Sequence, residues 1–227
     1  MSKGPGVEKM FDAIAGRYDV MNRVMTFGQD RHWREFVVDK AGPVGSGWVL
    51  DLACGTGEIS ALFKRRNASA RVVGSDFSGN MLHHARQRLG SRDFYWQACD
   101  ANELPYRSGA FEAVSFGYLL RNVDDSLSVL KEVHRVLAEG GRVVCLDTTP
   151  PAKNLLYPCI RIYLAVVIPL LGRLIARDQS AYAYLTGSTM DFHDADNLAK
   201  IFREAGFRNV AYKKFMLGTI AVHWGVK

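Results

Sequence analysis

The chain has 227 residues, of which 48% are hydrophobic and 23% charged, with a formal net charge of +6. This is the ordinary balance of a soluble globular protein, and the length suits one domain with a substantial core and a small accessory lobe. The modest positive charge is compatible with an anionic membrane surface or a nucleic acid and specifies neither. No block of five like charges appears, and the N-terminus lacks an apolar signal segment, so secretion is not expected. Cys54, Cys99, Cys145 and Cys159 show no Cys-x-x-Cys spacing. They read as core residues in a reducing compartment rather than as metal ligands.

Residues 1–6 are polar and carry Gly and Pro, so a frayed start is expected. From Val7 to Val24, apolar residues recur at helical spacing (Val7, Met10, Phe11, Ile14, Tyr18, Met21), the mark of an amphipathic helix. Residues 29–40, with Trp33, Phe36 and Val37, predict a second helix. Gly42, Pro43, Gly45 and Gly47 break it.

Trp48 to Leu52 is a short apolar run that fits a strand covered on both faces. It leads through Asp51 into Ala53-Cys54-Gly55-Thr56-Gly57 and a helix opening at Glu58. Gly55 and Gly57 permit a tight turn and close approach of backbone to a ligand, and the helix N-terminus favours negative charge there. A glycine loop of this kind is weak evidence alone, since dinucleotide sites open the same way.

Two further acids narrow the choice. Asp76 ends the run Arg71 to Ser75, about 25 residues after Asp51, a spacing that suits a carboxylate accepting from ribose hydroxyls. Asp100 ends the run Phe94 to Cys99 and is followed by small Ala101, a pair placed to meet an adenine amino group. Together they suit a nucleoside with a charged tail and no pyrophosphate. The competing reading makes Asp76 and Asp100 plain caps of the next helices.

The alternation then continues. A helix at 78–90 is capped by Ser78, and a fourth strand runs from Ala113 to Phe116. A helix from Asp124 to Leu137 shows Leu127, Leu130, Val133, His134 and Leu137 on one face. His134 reads as a core histidine facing the sheet. Gly140-Gly141 is expected to stop that helix and Arg142 to Asp147 to form strand five. Helix 196–205 and strands Val210 to Phe215 and Thr219 to Val226 finish the chain. The pattern predicts an α/β fold: a Rossmann-like, doubly wound, mostly parallel seven-stranded sheet with an antiparallel C-terminal hairpin, N-terminal helices and a helical insertion.

The stretch from Leu155 to Ala176 is strongly apolar but is interrupted by Arg161, Arg173 and two prolines. Its uncharged run, Ile162 to Gly172, is too short for a membrane span. A greasy lid lying on a bilayer or lining a tunnel, and a buried helix on the sheet, both remain open; the flanking arginines favour the first.

Asp51-Leu52-Ala53-Cys54-Gly55-Thr56-Gly57 resembles the first motif of class I S-adenosylmethionine (SAM) methyltransferases. Met10 to Asn22, continuing to Thr26-Phe27-Gly28, resembles the N-terminal signature of the UbiE/Coq5/MenG-type quinone C-methyltransferases. Phe116-Gly117, followed by Arg121-Asn122-Val123, matches the family's strand-four motif with two extra residues after Gly117. Arg135 to Arg142 and Gly218 to Gly225 resemble its turn into strand five and its last strand. Tyr182 to Leu185 and Ser188 to Phe192 resemble its insertion.

The resemblance implies an N-terminal helical lid at 1–47 and a SAM-dependent core at 48–227, with an apolar helical insertion at 152–192. It implies C-methylation of the ring of a polyprenylated hydroquinone, a demethylmenaquinol or ubiquinol precursor, in quinone biosynthesis. Tyr18 and Arg17 become candidates to touch the donor's amino-acid tail or the acceptor. Asp51, Gly55, Thr56, Gly57, Asp76, Asp100, Ala101 and Ser115 form the rest of the cofactor set. Arg121 and Asn122 become the catalytic pair. Arg121 stays protonated and is a poor base, so it would stabilise a phenolate while Asn122 orients an oxygen or a water.

A peripheral place at the inner face of the membrane follows, in the cytoplasm, and a homodimer is left open. No nucleic-acid partner and no metal are expected. Rival readings are methylation of another lipid or secondary metabolite, then a nucleic-acid methyltransferase, then a non-catalytic SAM-binding subunit.

Overall fold

The computed structural model describes residues 17, 19–176 and 179–227. Seven strands form one sheet in the order β3-β2-β1-β4-β5-β7-β6. They are β1 Trp48–Leu52, β2 Arg71–Asp76, β3 Phe94–Ala98, β4 Phe111–Gly117, β5 Leu137–Thr148, β6 Arg208–Phe215 and β7 Ile220–Val226. The first five run parallel, and β7 is antiparallel to both β5 and β6, as the alternation of the sequence predicts.

Helices α1 Asp30–Ala41 and α2 Glu58–Arg66 cover one face, where Trp33, Val37 and Phe63 meet Val49, Val72 and Val144. Helices α4 Ser126–Val136 and α7 Ala195–Glu204 cover the other, where Val129, Val133 and Phe202 meet Leu50, Val114 and Cys145. Helix α3 Gly79–Leu89 packs on β2 and β3. Burial on both faces is why β1 and β4 read as continuous apolar runs rather than alternating ones.

A third, smaller core lies off the sheet. The helix α5 Tyr157–Ile175 packs Ile160, Leu164 and Ile168 against Ala181, Tyr182 and Leu185 of α6 Gln179–Met190 and against Met21 and Met25. Residues 19–25 are helical and bring those methionines in. Two π-helical stretches, Tyr163–Val167 and Gly172–Ala176, widen α5, and Pro158 and Pro169 each open an α-helical segment, where a missing N–H is tolerated. The helix therefore continues through its prolines. Among the described residues it is long and apolar enough to cross a membrane by length and composition, with mean hydropathy 1.8 and 28% of its most apolar window buried. The interruptions read from the sequence do not shorten it.

Other details differ from the sequence reading. Helix α4 ends at Val136, and β5 starts at once, with Leu137 paired to Phe111 before a bulge. Gly140-Gly141 thus lies inside the strand, where Gly140 has φ +75°, instead of stopping the helix. The buried face of α4 is Ser126, Val129, Leu130, Val133 and Val136, shifted from the expected one. His134 does not face the sheet: it stands edge-on to Phe207, beside Gly206. Asp125 is the N-cap of α4, accepting from the Leu127 and Ser128 N–H groups. Of the four cysteines Cys145 is buried, Cys54 and Cys99 are partly buried, and Cys159 is exposed.

Candidate active site

The sheet order reverses between β1 and β4, and the carboxyl ends of strands part there into a cavity. Asp51, the Cys54–Thr56 loop, Asp76, Asp100, Ala101 and the turn after β4 all line it, and its volume is about 210 Å³. Asp51 is buried on the α2 side of β1. It accepts hydrogen bonds from the hydroxyls of Ser60 on α2 (2.6 Å) and Ser115 on β4 (3.1 Å). Burial pushes its carboxyl up to about 6, with the two serines pulling it back.

The backbone turns sharply at both strand ends. Ala53 has φ +51° after β1, and Tyr118 has φ +59° after β4; both line the cavity. Positive φ at residues with a Cβ is strain that the surrounding fold must hold, and it recurs at ligand sites. At Gly55, φ is +55° and an added Cβ would meet nothing within 4 Å, so the loop faces open space. Gly57, with φ +80°, serves a different need. A Cβ there would come within 2.9 Å of Leu89 and 3.0 Å of Trp96, so its bareness lets α3 and β3 pack on the loop.

Asp76 ties the loop to β2: its Oδ2 accepts the Gly55 N–H at 2.8 Å and its Oδ1 the Ser78 N–H at 2.9 Å. Helix α3 is capped by Ser78, whose hydroxyl oxygen accepts from the Met81 N–H, so Asp76 is not that helix's cap. Asp100 likewise caps no helix; it accepts from the backbone and side-chain amides of Asn102, both at 2.8 Å. The capping alternative fails for both acids, and both line the cavity.

Placement of the other expected residues is mixed. Gly55, Thr56, Ala101 and Asn122 line the cavity; Gly57 and Ser115 do not, acting instead as a packing glycine and as a support for Asp51. Tyr18 lies outside the described residues. Arg17 donates to the Ile175 carbonyl at 3.2 Å, at the end of α5, and does not line the cavity.

Arg121 sits on the far side of a short 3-10 turn, Leu120–Asn122, and lines a second, neighbouring cavity. It is buried. Its Nε lies 3.8 Å from Asp147, its Nη1 donates to Thr148 at 3.3 Å, and its guanidinium lies over the Tyr118 ring at 4.9 Å. Burial raises Asp147 to about 6, against the pull of Arg121. Asn122 donates to the Tyr118 carbonyl at 2.7 Å and so fixes the turn between the two cavities.

Several contributors escaped the sequence reading. Asp19 accepts from the Thr56 hydroxyl at 2.8 and 3.0 Å, holding helix 19–25 against the glycine loop. It lies within the N-terminal signature, which was the available signal. Arg88 clamps the Thr56 carbonyl at 2.8 and 3.1 Å and pairs with Glu58. Cys54 and Cys99 line the cavity instead of filling the core; burial raises both thiols, which makes them inert rather than nucleophilic.

The family model described as the ubiE/COQ5 methyltransferase family matches residues 1–227. The chain belongs to that family. It is 66% identical over 227 residues to a protein of Desulfotalea psychrophila named "Ubiquinone/menaquinone biosynthesis C-methyltransferase UbiE", covering 100% of this chain and 92% of that one. It is 39% identical to the "Demethylmenaquinone methyltransferase" of Lactiplantibacillus plantarum, covering 97% and 95%. Among solved structures, a SAM-dependent methyltransferase of Aquifex aeolicus matches with TM-score 0.60 at 15% identity, covering 85% and 88%, which establishes the shared fold.

The protein is therefore a methyltransferase, and S-adenosylmethionine is its methyl donor. The cavity fits that molecule. Three carboxylates from successive strand ends suit a ligand that carries ammonium and sulfonium charge and ribose hydroxyls, while the open face of Gly55 leaves room for close approach. Asp51 and the glycine loop would hold the amino-acid end, Asp76 the ribose, and Asp100 with Ala101 the base.

Proposed function

We propose that this methyltransferase places a methyl group on a ring carbon of a polyprenylated hydroquinone, a demethylmenaquinol or ubiquinol precursor, while resting on the inner face of a membrane. The observation that carries the reading is the outer face of α5. Ile162, Val166, Leu170 and Leu174 recur every four residues and are 60%, 56%, 50% and 69% exposed; Phe27 beside them is 74% exposed. Phe27 stacks on Tyr163 of α5. Such a contiguous apolar surface, flanked by exposed Arg161 and Arg173, suits insertion into the boundary of an anionic bilayer. A substrate with a polyprenyl tail resides in that same phase. The names of the relatives support the quinone class.

The donor supplies an electrophilic methyl group. A ring carbon of a quinol is a weak nucleophile until the neighbouring phenol loses its proton, and an isolated phenol near pKa 10 resists that. The buried Arg121 guanidinium favours the phenolate, its own charge balanced by Asp147, while water or a nearby carboxylate takes the phenol proton. After methyl transfer the ring carbon loses its hydrogen as a proton and the oxygen regains one, so one proton leaves with the demethylated donor. Asn122, between the cavities, orients the turn and the oxygen. Helix 19–25, held through Asp19 on Thr56, would close the site against water on that side.

The test is transfer of labelled methyl from SAM to a panel of reduced quinones presented in anionic vesicles. Methylation of at least one quinol is expected. Transfer to none, with SAM still bound, would reject the reading.

A further inference from the structure

We propose that the second cavity receives the acceptor's ring, a reduced aromatic diol, and that Tyr184 fixes that ring by a hydrogen bond to one of its oxygens. This rests on the quinol reading above and deepens it.

The second cavity, about 310 Å³, is lined by Leu120, Arg121, Tyr184, Ser188, Phe192 and His193 among others. It shares Val123 and Asp124 with the donor cavity, so the two adjoin beside the turn carrying Asn122. A methyl donor on one side and a ring on the other would meet at that turn. Its size lies at the lower end for ligand sites and suits a ring system rather than a long tail.

The chemistry of the wall matches a diol. Tyr184 and Phe192 offer aromatic faces, while the Tyr184 and Ser188 hydroxyls and the Arg121 guanidinium offer groups for ring oxygens. Arg121 has a side chain only 6% exposed; its Nε lies 3.8 Å from Asp147, too far for a hydrogen bond, and makes none among the described residues. A buried donor without an acceptor is costly unless a ligand meets it. Among the described residues the Tyr184 hydroxyl reaches Asn122 Oδ1, at 3.4 Å, long for such a bond and easily exchanged for a better acceptor. Burial pushes the Tyr184 phenol up, so it remains a donor at neutral pH.

Helix α6 provides Tyr184 and Ser188 on this side, and through Ala181, Tyr182 and Leu185 it packs on α5. A tail leaving the ring would meet the apolar lobe that α5 and α6 build together.

The experiment uses the full chain with SAM and a demethylated naphthohydroquinone bearing a short prenyl tail. Turnover, KM for the quinol and calorimetric affinity for SAM are measured for wild type, Tyr184→Phe and Ser188→Trp. Tyr184→Phe should raise KM about tenfold, the loss of one good hydrogen bond, with SAM affinity within twofold of wild type. Ser188→Trp, which fills the cavity, should abolish transfer while SAM binding and the melting temperature persist. Should Ser188→Trp fail to fold, Tyr184→Phe decides alone. An unchanged KM in Tyr184→Phe would overturn the assignment while leaving the quinol reading intact. Wild-type protein that methylates no quinol would instead remove that reading, and this one with it.

Discussion

The donor side and the acceptor side of this molecule are held by different forces. Around Asp51 and the glycine loop, almost every polar group has a named partner: Ser60 and Ser115 on Asp51, Asp76 on Gly55, Asp19 on Thr56, Arg88 on the Thr56 carbonyl. Around α5, the contacts are mostly between apolar side chains, and half the helix faces outward. Hydrogen bonds specify geometry, whereas apolar packing specifies mainly burial. A single donor with fixed groups can be read by the first kind of wall; a long, featureless hydrocarbon needs only the second.

Substitutions can break that contrast if they cross it. The largest expected effect is Arg121→Ala, which should lower turnover by about 10²–10³, the usual cost of losing a group that stabilises developing negative charge. Calorimetry should find SAM affinity nearly unchanged, because Arg121 does not line the donor cavity. Equal loss of both would place Arg121 in the donor wall. Next, Asp76→Ala should weaken SAM binding by about 1–3 kcal/mol, through the ribose and through the freed Gly55 N–H. Unchanged affinity would remove Asp76 from the donor site.

The doubly charged variant Val166→Glu with Leu170→Glu should lower partition onto anionic vesicles by at least tenfold, since each large apolar side chain buried in lipid contributes roughly 1.5–3 kcal/mol. SAM affinity should not move. If co-sedimentation with vesicles is unaffected, the stripe is not the docking face.

A smaller effect sharpens the donor side through pH. Asp51 titrates at about 6 in the folded chain, above its ordinary 3.8, because burial disfavours its charge. Below pH 6 it is protonated, and a cationic donor must expel that proton to regain the negative charge. Affinity for SAM should therefore fall as pH drops below about 6, by no more than tenfold per unit, with proton release visible as a buffer-dependent binding enthalpy. Fold stability responds in the opposite sense. The contribution of this raised carboxyl is fully present below 3.8 and is lost as pH rises through about 6. Acid thus weakens the donor site while it relieves the buried charge.

The donor half was legible in the sequence because its requirements are local. A short apolar strand, two glycines and an acid at the next strand end are each dictated by backbone geometry within a few residues. The acceptor half depends on packing between distant segments, which no periodicity announces. Pro158 and Pro169 read as breaks, yet each merely opens a helical segment and α5 runs on. Tyr184 and Ser188 meet Arg121 only because α6 folds back onto the turn after β4. Gly140-Gly141 misled for a similar reason: the pair resembles a helix stop, but the pairing of Leu137 with Phe111 had already begun the strand. Asp19 was within the recognised signature, but only tertiary contact with Thr56 singles it out from its neighbours.

The two turns of helix at 19–25 lie astride this division. Asp19 grips the glycine loop, while Met21 and Met25 are plugged into the apolar lobe, where the Tyr163 hydroxyl also holds the Met25 carbonyl at 2.5 Å. Seven residues thus tie the loop under the donor to the apolar lobe through contacts of opposite kinds, a carboxylate at one end and thioethers at the other.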